Sequence, residues 1–354
     1  MRSALVPSLL SDVGNDTLVA HLRRTNTPVI LTDVTADWPA FAKWTVHALR
    51  TTYGDVGVHA GGFTFAMRDY LAYAEGCESS ARAAEDTPLY VFDKAVLLAP
   101  GVLAPDFEPP PQFAAQRDLF SLLERDGHPG GRPDHCWLIM GPQRSGSAWH
   151  VDPNATSAWN AVVLGCKHWI MFPPGCPPPG VMASDDGAHV AQPSSLVDWY
   201  LNFYDACHER GRERMQKQPA PMECNLRSGE LLFVPSGWWH CALNTAPGIT
   251  LAVTQNLVTG ANLSKVLAHL ARGDEDLISG IAPEHRASLG PRLLAALHTH
   301  VPDVLRAATH SVGPAAGPGA EQWVSGGKQG SGGWGGRAAV NADEGARTFA
   351  FNFS

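Results

Sequence analysis

The chain has 354 residues, of which 44% are hydrophobic and 17% are charged, so it can bury a substantial core. Its formal net charge of -8 at pH 7 argues against nucleic-acid binding through the overall surface. The 7 cysteines are scattered and include no Cys-x-x-Cys pair, which argues against a disulfide framework and a structural zinc module.

The N-terminal segment, "MRSALVPSLLSDVGND", contains a short apolar run that Pro7 interrupts. This run is too brief for the core of a signal peptide, and no apolar stretch in the sequence has the length of a membrane span. We therefore expect a soluble protein in a reducing compartment, the nucleus or the cytoplasm.

The segment that follows predicts alternating helices and a strand. Residues 15–26, "NDTLVAHLRRTN", have helical spacing behind a capping Asn15 or Asp16. The run "PVILTDV", which opens at Pro28, has the β-branched composition of a strand. Helical spacing returns in "WTVHALRTTYG" and over residues 67–74. Residues 98–112, rich in proline, predict an ordered surface crossing.

Short strands dominate the chain from Cys136 onward. Eight segments have strand character: "CWLIM", "SAWHVD", "WNAVVLG", "KHWIMFP", "MECNLR", "ELLFVP", "WHCALN" and "ITLAVTQN". Such a density of short strands separated by turn residues predicts a sandwich or a barrel. A helix interrupts the series at about residues 195–215, where Ser195 and Asp198 have capping-box spacing.

The C-terminal part turns helical again and then loses regular patterning. "LSKVLAHLARG" and "PRLLAALHTHVPDVLRAATH" have helical spacing, whereas residues 313–347 are rich in glycine and alanine and predict a disordered tail. We divide the chain into an N-terminal region (1–134) that packs on a barrel, the barrel itself (135–262), a helical segment (263–312) and the tail (313–354).

His150 and Asp152 are the first candidate metal ligands. Side chains at positions i and i+2 of a strand point to the same face, so both could face a barrel interior and bind one ion. The alternative is a hydrogen-bonded core histidine followed by a turn-forming Asp-Pro pair. A single His-x-Asp motif favours this alternative.

His240 is the third candidate, because it follows the apolar segment "ELLFVPSGWW" and is expected in the interior. There it could instead bond a backbone carbonyl. Two histidines and one carboxylate from different strands form the facial triad of non-haem Fe(II) oxygenases. Three protein ligands occupy one face of an octahedron and leave three positions, two for a chelating 2-oxo acid and one for O2. The three residues therefore predict an Fe(II) site.

Lys167 lies in the apolar segment "GCKHWIMFP", where an unpaired ammonium is costly to bury. If it faces the interior it needs an anion, and the distal carboxylate of 2-oxoglutarate is the natural one. If it faces outward it lies in water. The alternation with Cys166 and His168 does not decide between the two faces.

Four further polar residues are candidate contacts of the same cosubstrate. Asn160 and Thr254 lie inside apolar strands, and each could donate to a carboxylate or satisfy a neighbouring backbone group. Ser147, three residues before His150, has the same two possible roles. Tyr90, in "TPLYVFD", is another possible donor.

These motifs resemble the JmjC-domain 2-oxoglutarate oxygenases of the cupin-like double-stranded β-helix superfamily. The similarity is strongest to the branch typified by the bifunctional arginine demethylase and lysyl-hydroxylase. It rests on "GPQRSGSAWHVDPNATSAWNAVVLGCKHWIMFPP", "SGELLFVPSGWWHCALN" and "TQN", and it extends over residues 27–262. It implies a mainly β, jelly-roll barrel with an N-terminal α/β decoration and C-terminal helices.

The resemblance also implies roles for the candidate residues. His150, Asp152 and His240 become the iron ligands, and Lys167 faces inward as the partner of the 2-oxoglutarate C5 carboxylate. The expected second-tier cosubstrate contacts are Asn160, Ser147, Tyr90 and Thr254. Ser147 stands where a threonine is usual in the family, a change that keeps the hydroxyl.

The implied activity is Fe(II)- and 2-oxoglutarate-dependent oxidation of a protein by O2. The product would be a hydroxylated lysine or a demethylated N-methyl arginine or lysine, on a histone, a splicing or translation factor, or another nuclear or cytosolic protein. A homodimer through the C-terminal helices is a further expectation. The different-class alternative is a non-catalytic barrel that serves as a chromatin or protein interaction module.

Overall fold

The computed structural model describes residues 4–5, 8–9, 25–77, 85–98, 102–114, 117–125, 127, 130–184, 189–208 and 219–310. The predicted helix over residues 15–26 lies outside the described residues except for its last two positions. The predicted tail from residue 313 and the end of the predicted helical insertion, residues 209–215, also lie outside them.

Strands make up most of the described residues between 136 and 257. In chain order the strands are β1 (Ala4–Leu5), β2 (Ser8–Leu9), β3 (Val29–Thr32), β4 (Gly57–Ala60), β5 (Phe63–Ala66), β6 (Val91–Asp93), β7 (Cys136–Pro142), β8 (Gly146–His150), β9 (Ser157–Leu164), β10 (Cys166–Phe172), β11 (Met182–Ala183), β12 (Val190–Ala191), β13 (Met222–Arg227), β14 (Glu230–Val234), β15 (Trp239–Asn244) and β16 (Ile249–Leu257). Each of the eight strands predicted from Cys136 onward forms, with ends that agree to within two residues.

Helices flank these strands at both ends of the chain and interrupt them once. They are α1 (Ala40–Lys43), α2 (Val46–Thr51), α3 (Met67–Gly76), α4 (Ala95–Leu98), α5 (Leu122–Arg125), α6 (Leu196–Cys207), α7 (Leu263–Leu270), α8 (Pro283–His300) and α9 (Pro302–His310). Short 3-10 turns occupy Ala104–Asp106, Leu119–Ser121, Pro153–Ala155 and Glu275–Leu277. None of the described helices combines the length and the hydropathy that a membrane span requires.

Two sheets pack face to face and form the barrel. The larger sheet has the order β2-β3-β14-β9-β16-β7-β6-β4-β5, and the smaller sheet has the order β1-β13-β10-β15-β8. Most pairs are antiparallel, and strands distant in sequence become neighbours, as in a jelly roll. The predicted fold class is confirmed. The sequence did not reveal β4 and β5, which extend the larger sheet.

The interior between the two sheets, which we call the lumen, holds one of the hydrophobic clusters. Its buried members come from both sheets: Ile30, Ile139, Val162, Trp169, Met171, Cys224, Leu226, Leu232, Val234, Trp238, Ala242 and Ala252. Burying a large apolar side chain of this kind contributes about 1.5–3 kcal/mol to stability. The cluster also shows which residues of each strand point inward, since alternate residues share a face.

The outer faces of the sheets are covered by helices. Alternate residues of β9, such as Trp159 and Ala161, pack on the outside of the larger sheet with residues of α1–α3. On the smaller sheet, Ile170 and Phe172 pack against Leu196 and Trp199 of α6. Both sheets are therefore sandwiched between the lumen and a helical layer, which explains their near-continuous burial.

The C-terminal helices form a separate cluster beside the barrel. Leu263 and Val266 of α7, Leu293 and Leu297 of α8, and Leu305 of α9 are among its members. The segment 119–123 contributes to the same cluster. These helices therefore pack on one end of the barrel, close to the turn that follows β8.

A candidate metal centre and its lumen pocket

His150, Asp152 and His240 come together at one end of the lumen. His150 is the last residue of β8, and it lies directly opposite His240 in the antiparallel pair β8–β15. The two imidazole rings have centroids 4.2 Å apart. One ligand atom from each of the three residues lies within 4.8 Å of the other two, so a single ion can contact all three. Sequence positions 90 residues apart thus form one site.

Asp152 reaches the site by a different route from the one expected. Strand alternation was expected to place it on the same face as His150, but β8 ends at His150, and Asp152 is the N-cap of the 3-10 turn Pro153–Ala155. That reason was wrong, although the two side chains do meet. The turn, and not the pleat of a strand, brings the carboxylate to the histidines.

Both histidines are oriented by backbone carbonyls. The Nδ1 atom of His150 lies 2.7 Å from the carbonyl oxygen of Ala148, and that of His240 lies 2.9 Å from the carbonyl oxygen of Trp238. A carbonyl oxygen only accepts, so each Nδ1 carries the proton. Each Nε2 then holds the lone pair that a metal ion needs.

Burial sets the protonation state of the three residues. It lowers the pKa of His150 and of His240 to about 4, and the neighbouring His240 contributes to the shift at His150. Burial also raises the pKa of Asp152 to about 6. At neutral pH the site holds two neutral imidazoles and one carboxylate, so the 4.0 Å approach between His240 and Asp152 is not an ion pair. This protonation state suits a divalent cation.

Asn256 is a residue of this site that the candidate set from the sequence does not include. Its amide donates a long hydrogen bond, 3.5 Å, to Oδ1 of Asp152 and another, 3.0 Å, to Oγ1 of Thr156. It lies at the end of β16, in the "TQN" motif, and its backbone N–H bonds the carbonyl of His135. The motif was a signal for the position, but the contact with Asp152 depends on the pairing of β16.

Lys167 points into the lumen. It shares a face of β10 with Trp169 and Met171, both members of the lumen cluster, and it is 1% exposed. Its ammonium donates to the Tyr90 hydroxyl, and no carboxylate of the described residues forms an ion pair with it. Burial lowers its pKa from 10.5 to about 7. The choice between the two faces, left open by the strand pattern, is made by the packing of the sheets.

Asn160 and Thr254 lie opposite each other on β9 and β16 and face the same lumen as Val162 and Ala252. The side-chain oxygen of Asn160 is buried and has no hydrogen-bond partner within the described part of the chain. Thr254 instead donates to the carbonyl of Trp159 at 2.9 Å. Of the two roles considered for Thr254, the structure shows the backbone contact.

Ser147 joins this group through an irregularity of β8. Register shifts between His240 and Ala242, so that Ser147 pairs with Ala242 while His150 pairs with His240. The extra residue on β8 lets Ser147 and His150 face inward although they are three positions apart. Ser147 is a hydrogen-bond partner of the Tyr90 hydroxyl. The bulge therefore places the Ser147 hydroxyl beside the Tyr90 hydroxyl, which itself accepts from Lys167.

The pocket has the chemistry of a site for a small anion next to a metal ion. Lys167 and Met171 are four residues apart on β10, and Met171 lies opposite His240, so the lysine and the triad are separated by roughly 13 Å of backbone. The long lysine stem and a short dicarboxylate together suit that gap. The Lys167 ammonium has a neutral hydroxyl as its partner instead of an anion, and the Asn160 oxygen has no partner among the described residues.

Comparison with known proteins agrees with this architecture. A family model described as a cupin-like domain matches residues 16–256, which is more than half of the chain. The chain belongs to this family. The matched range contains β3 to β15 and all three triad residues.

Several curated proteins are similar to this cupin-like chain. An arginine-specific demethylase from Arabidopsis thaliana is 38% identical over 269 residues, covering 76% of this chain and 49% of that protein. A bifunctional arginine demethylase and lysyl-hydroxylase from Caenorhabditis briggsae is 36% identical over 271 residues, covering 74% of this chain and 63% of that protein. The chain spans about half to two thirds of the length of these relatives. The resemblance to that branch is confirmed.

A more distant relative carries its cofactors in its name. A human 2-oxoglutarate and iron-dependent oxygenase is 26% identical over 269 residues, covering 68% of this chain and 58% of that protein. Its name couples a metal to an anionic cosubstrate. The lumen of the present chain has donor groups for both.

Proposed function

We propose that the protein is an Fe(II)- and 2-oxoglutarate-dependent oxygenase that acts on a protein substrate. The observation that carries this proposal concerns Lys167, whose buried ammonium has no acidic partner among the described residues and lies in the same lumen as a His–Asp–His cluster. A charge of this kind is costly unless an anion completes it. The names of the relatives, which include demethylases, a lysyl-hydroxylase and 2-oxoglutarate oxygenases, support the proposal.

In this proposal, one group of residues binds the metal and another binds the cosubstrate. His150, Asp152 and His240 hold the iron through two Nε2 atoms and one carboxylate oxygen, and Lys167 binds the distal carboxylate of 2-oxoglutarate. Bound together, iron and 2-oxoglutarate activate O2 for the oxidation of a substrate C–H bond. Asn160, Tyr90 and Ser147 orient the cosubstrate, while the aromatic and aliphatic residues of the lumen exclude water.

The proposed substrate is a lysine or an N-methylated arginine or lysine side chain of a protein. Hydroxylation of a lysine carbon leaves a stable alcohol, whereas hydroxylation of an N-methyl carbon gives a hemiaminal that loses formaldehyde. The same iron chemistry produces both outcomes, and relatives carry both activities in their names. The proposed locations are the nucleus and the cytoplasm.

Peptide turnover tests this function directly. We expect the purified protein, supplied with Fe(II), ascorbate and 2-oxoglutarate, to release succinate and to modify lysine-rich or methylarginine-rich peptides. Mass spectrometry distinguishes the addition of one oxygen atom to lysine from the loss of a methyl group. Metal binding without any oxidation of 2-oxoglutarate would instead support the non-catalytic interaction module.

Lys167 also predicts a pH dependence of cosubstrate affinity. The ammonium form of Lys167 binds the carboxylate. In the ligand-free protein the pKa of about 7 leaves the Lys167 amine mostly uncharged above that pH, so 2-oxoglutarate binding must be accompanied by uptake of a proton. We expect the Kd for 2-oxoglutarate to stay flat below about pH 7 and to rise roughly tenfold per unit above it. Calorimetric titration in buffers of different ionisation enthalpy measures both the affinity and the proton uptake. A constant Kd across this range would contradict the assignment.

The same lysine affects stability in the opposite direction. The unfolded chain keeps the Lys167 proton up to pH 10.5, whereas the folded, ligand-free protein loses it near pH 7. The unfolded state therefore binds more protons between these values, and this group makes the free energy of unfolding rise with pH in that window.

A further inference from the structure

The turn that presents Asp152 has an unusual backbone. Asn154 and Ala155 both have positive φ, 55° and 53°, in the left-handed region. Asparagine tolerates this region, but for a residue such as alanine it costs roughly 1–2 kcal/mol. Two such residues in succession persist only where their surroundings hold them in place, and strained positions of this kind cluster at functional sites.

The Asn154 side chain ties this turn to the C-terminal part of the chain. Its amide nitrogen donates to the carbonyl of Ser279 at 2.9 Å, and its amide oxygen accepts from the backbone N–H of Ser279 at 3.0 Å. Asn154 is 4% exposed, so both bonds are shielded from water. The carboxamide group therefore pairs with both backbone groups of one residue, donating to its C=O and accepting from its N–H.

The remainder of the turn is held by the same C-terminal part of the chain. Asn262 donates to the carbonyl of Ala155 at 3.2 Å, and its own oxygen accepts from the backbone N–H of Thr259 at 2.8 Å. Thr156, the residue after the turn, is bonded by Asn256. Three consecutive residues therefore have partners that lie between positions 256 and 279.

The Asp152 carboxylate, by contrast, is weakly held. Within the described residues, the hydrogen bond recorded for it is the 3.5 Å contact from Asn256, a length at which such bonds are weak. The direction of the carboxylate therefore depends on the backbone of the turn that begins at Asp152.

We propose that Asn154 is a positioning residue of the metal centre. Through Ser279 it locks the left-handed turn that aims the Asp152 carboxylate at His150 and His240. The segment 259–279 thereby supports the metal site, although it supplies none of the three candidate ligands. The inference rests on the metal centre of the proposed function, and it does not depend on which protein is the substrate.

Substitutions at Asn154 separate the effect of its two hydrogen bonds to Ser279 from the effect of backbone strain. Glycine adopts the left-handed region without cost but loses both bonds, alanine loses the bonds and adds strain, and aspartate keeps only the acceptor. We expect Asn154→Gly and Asn154→Ala to weaken Co(II) binding by about 10- to 100-fold, the loss typical of residues that orient metal ligands. The Co(II) affinity of Asn154→Asp should lie between that of these two variants and that of the wild type. Titration of the full chain with Co(II), followed by its visible absorption, measures affinity and ligand geometry together.

Asp33→Ala is the matched control. Asp33 is an exposed residue at the end of β3 with φ of 64°, so the substitution adds the same left-handed strain far from the turn. It should lower the Tm and leave Co(II) affinity unchanged. Wild-type Co(II) affinity and spectrum in Asn154→Gly would overturn the proposal, and this variant remains informative even if Asn154→Ala does not fold. Wild-type protein that binds Co(II) but does not oxidise 2-oxoglutarate would overturn the proposed activity while leaving this test intact.

Discussion

Asp152→Ala is expected to abolish both metal binding and turnover without unfolding the protein. The substitution removes the only anionic ligand of the three-residue cluster, and loss of a residue that merely orients a ligand already costs 10- to 100-fold in metal affinity. We therefore expect Co(II) affinity to fall by more than about 100-fold and succinate release to fall to the uncatalysed background. Because burial raises the pKa of this carboxyl to about 6, its removal should not lower the Tm of the metal-free protein.

Asp205→Ala provides the control for this variant. Asp205 is an exposed carboxylate on α6, outside the lumen, so its loss should affect neither metal affinity nor turnover. His240→Ala should reproduce the effect of Asp152→Ala, because the site needs ligands from both β15 and the turn. Co(II) binding of wild-type strength in either triad variant would refute the ligand assignment.

Lys167→Met should weaken the binding of 2-oxoglutarate and stabilise the ligand-free protein. A charge-assisted hydrogen bond to a carboxylate contributes about 1.5–3 kcal/mol, so its loss should raise the KM for 2-oxoglutarate by roughly 10- to 150-fold. In the ligand-free protein the same ammonium is buried without an acidic partner among the described residues, and the fall of its pKa from 10.5 to about 7 corresponds to a few kcal/mol of destabilisation. We expect the Tm of the ligand-free variant to rise by about 5 °C or more.

Two further lysine variants make this result specific. Lys265→Met removes an exposed lysine of α7, outside the lumen cluster, and should leave the KM for 2-oxoglutarate unchanged. Lys167→Arg keeps the charge and should recover part of the cosubstrate affinity. An unchanged KM in Lys167→Met, measured by succinate release, would show that another residue binds the distal carboxylate. A lowered Tm would show that Lys167 stabilises the ligand-free fold.

The opposite effects on affinity and stability have one physical cause. A cation buried in an apolar lumen is stabilised only when an anionic ligand binds to it. Proteins commonly sacrifice stability at functional sites in this way. Here the loss of stability is expected because the buried Lys167 ammonium donates to a neutral group, the Tyr90 hydroxyl, instead of an anion.

Much of the barrel could be predicted from local pattern. The strands β7 to β10 and β13 to β16 were foreseen because their apolar runs are short and bounded by glycine, proline and asparagine. The short strands β4 and β5 were missed, since β5 is partly exposed and Gly57 weakens the signal of β4. The spacing of the cysteines argued against a disulfide framework, and none of them forms a disulfide within the described part of the chain.

The candidate site residues were also found from the sequence, but the reasons for their placement were not. Strand alternation predicts that His150 faces inward, and the pairing of β8 with β15 agrees. Alternation cannot locate the end of β8, however, and Asp152 lies beyond that end, in a turn. The bulge in β8 that turns Ser147 inward depends on hydrogen bonds to β15. No periodicity within one strand encodes a bulge.

The amino-acid sequence by itself determined which chemical groups this protein possesses and where its strands run, because side-chain chemistry and strand periodicity are local properties. Only the tertiary structure decided that Lys167 faces the lumen, that His240 lies opposite His150, and that the left-handed turn after Asp152 is held by the C-terminal segment. These outcomes depend on register and packing between segments about 70 to 125 residues apart in the chain. The energy that selects them arises only when those segments meet.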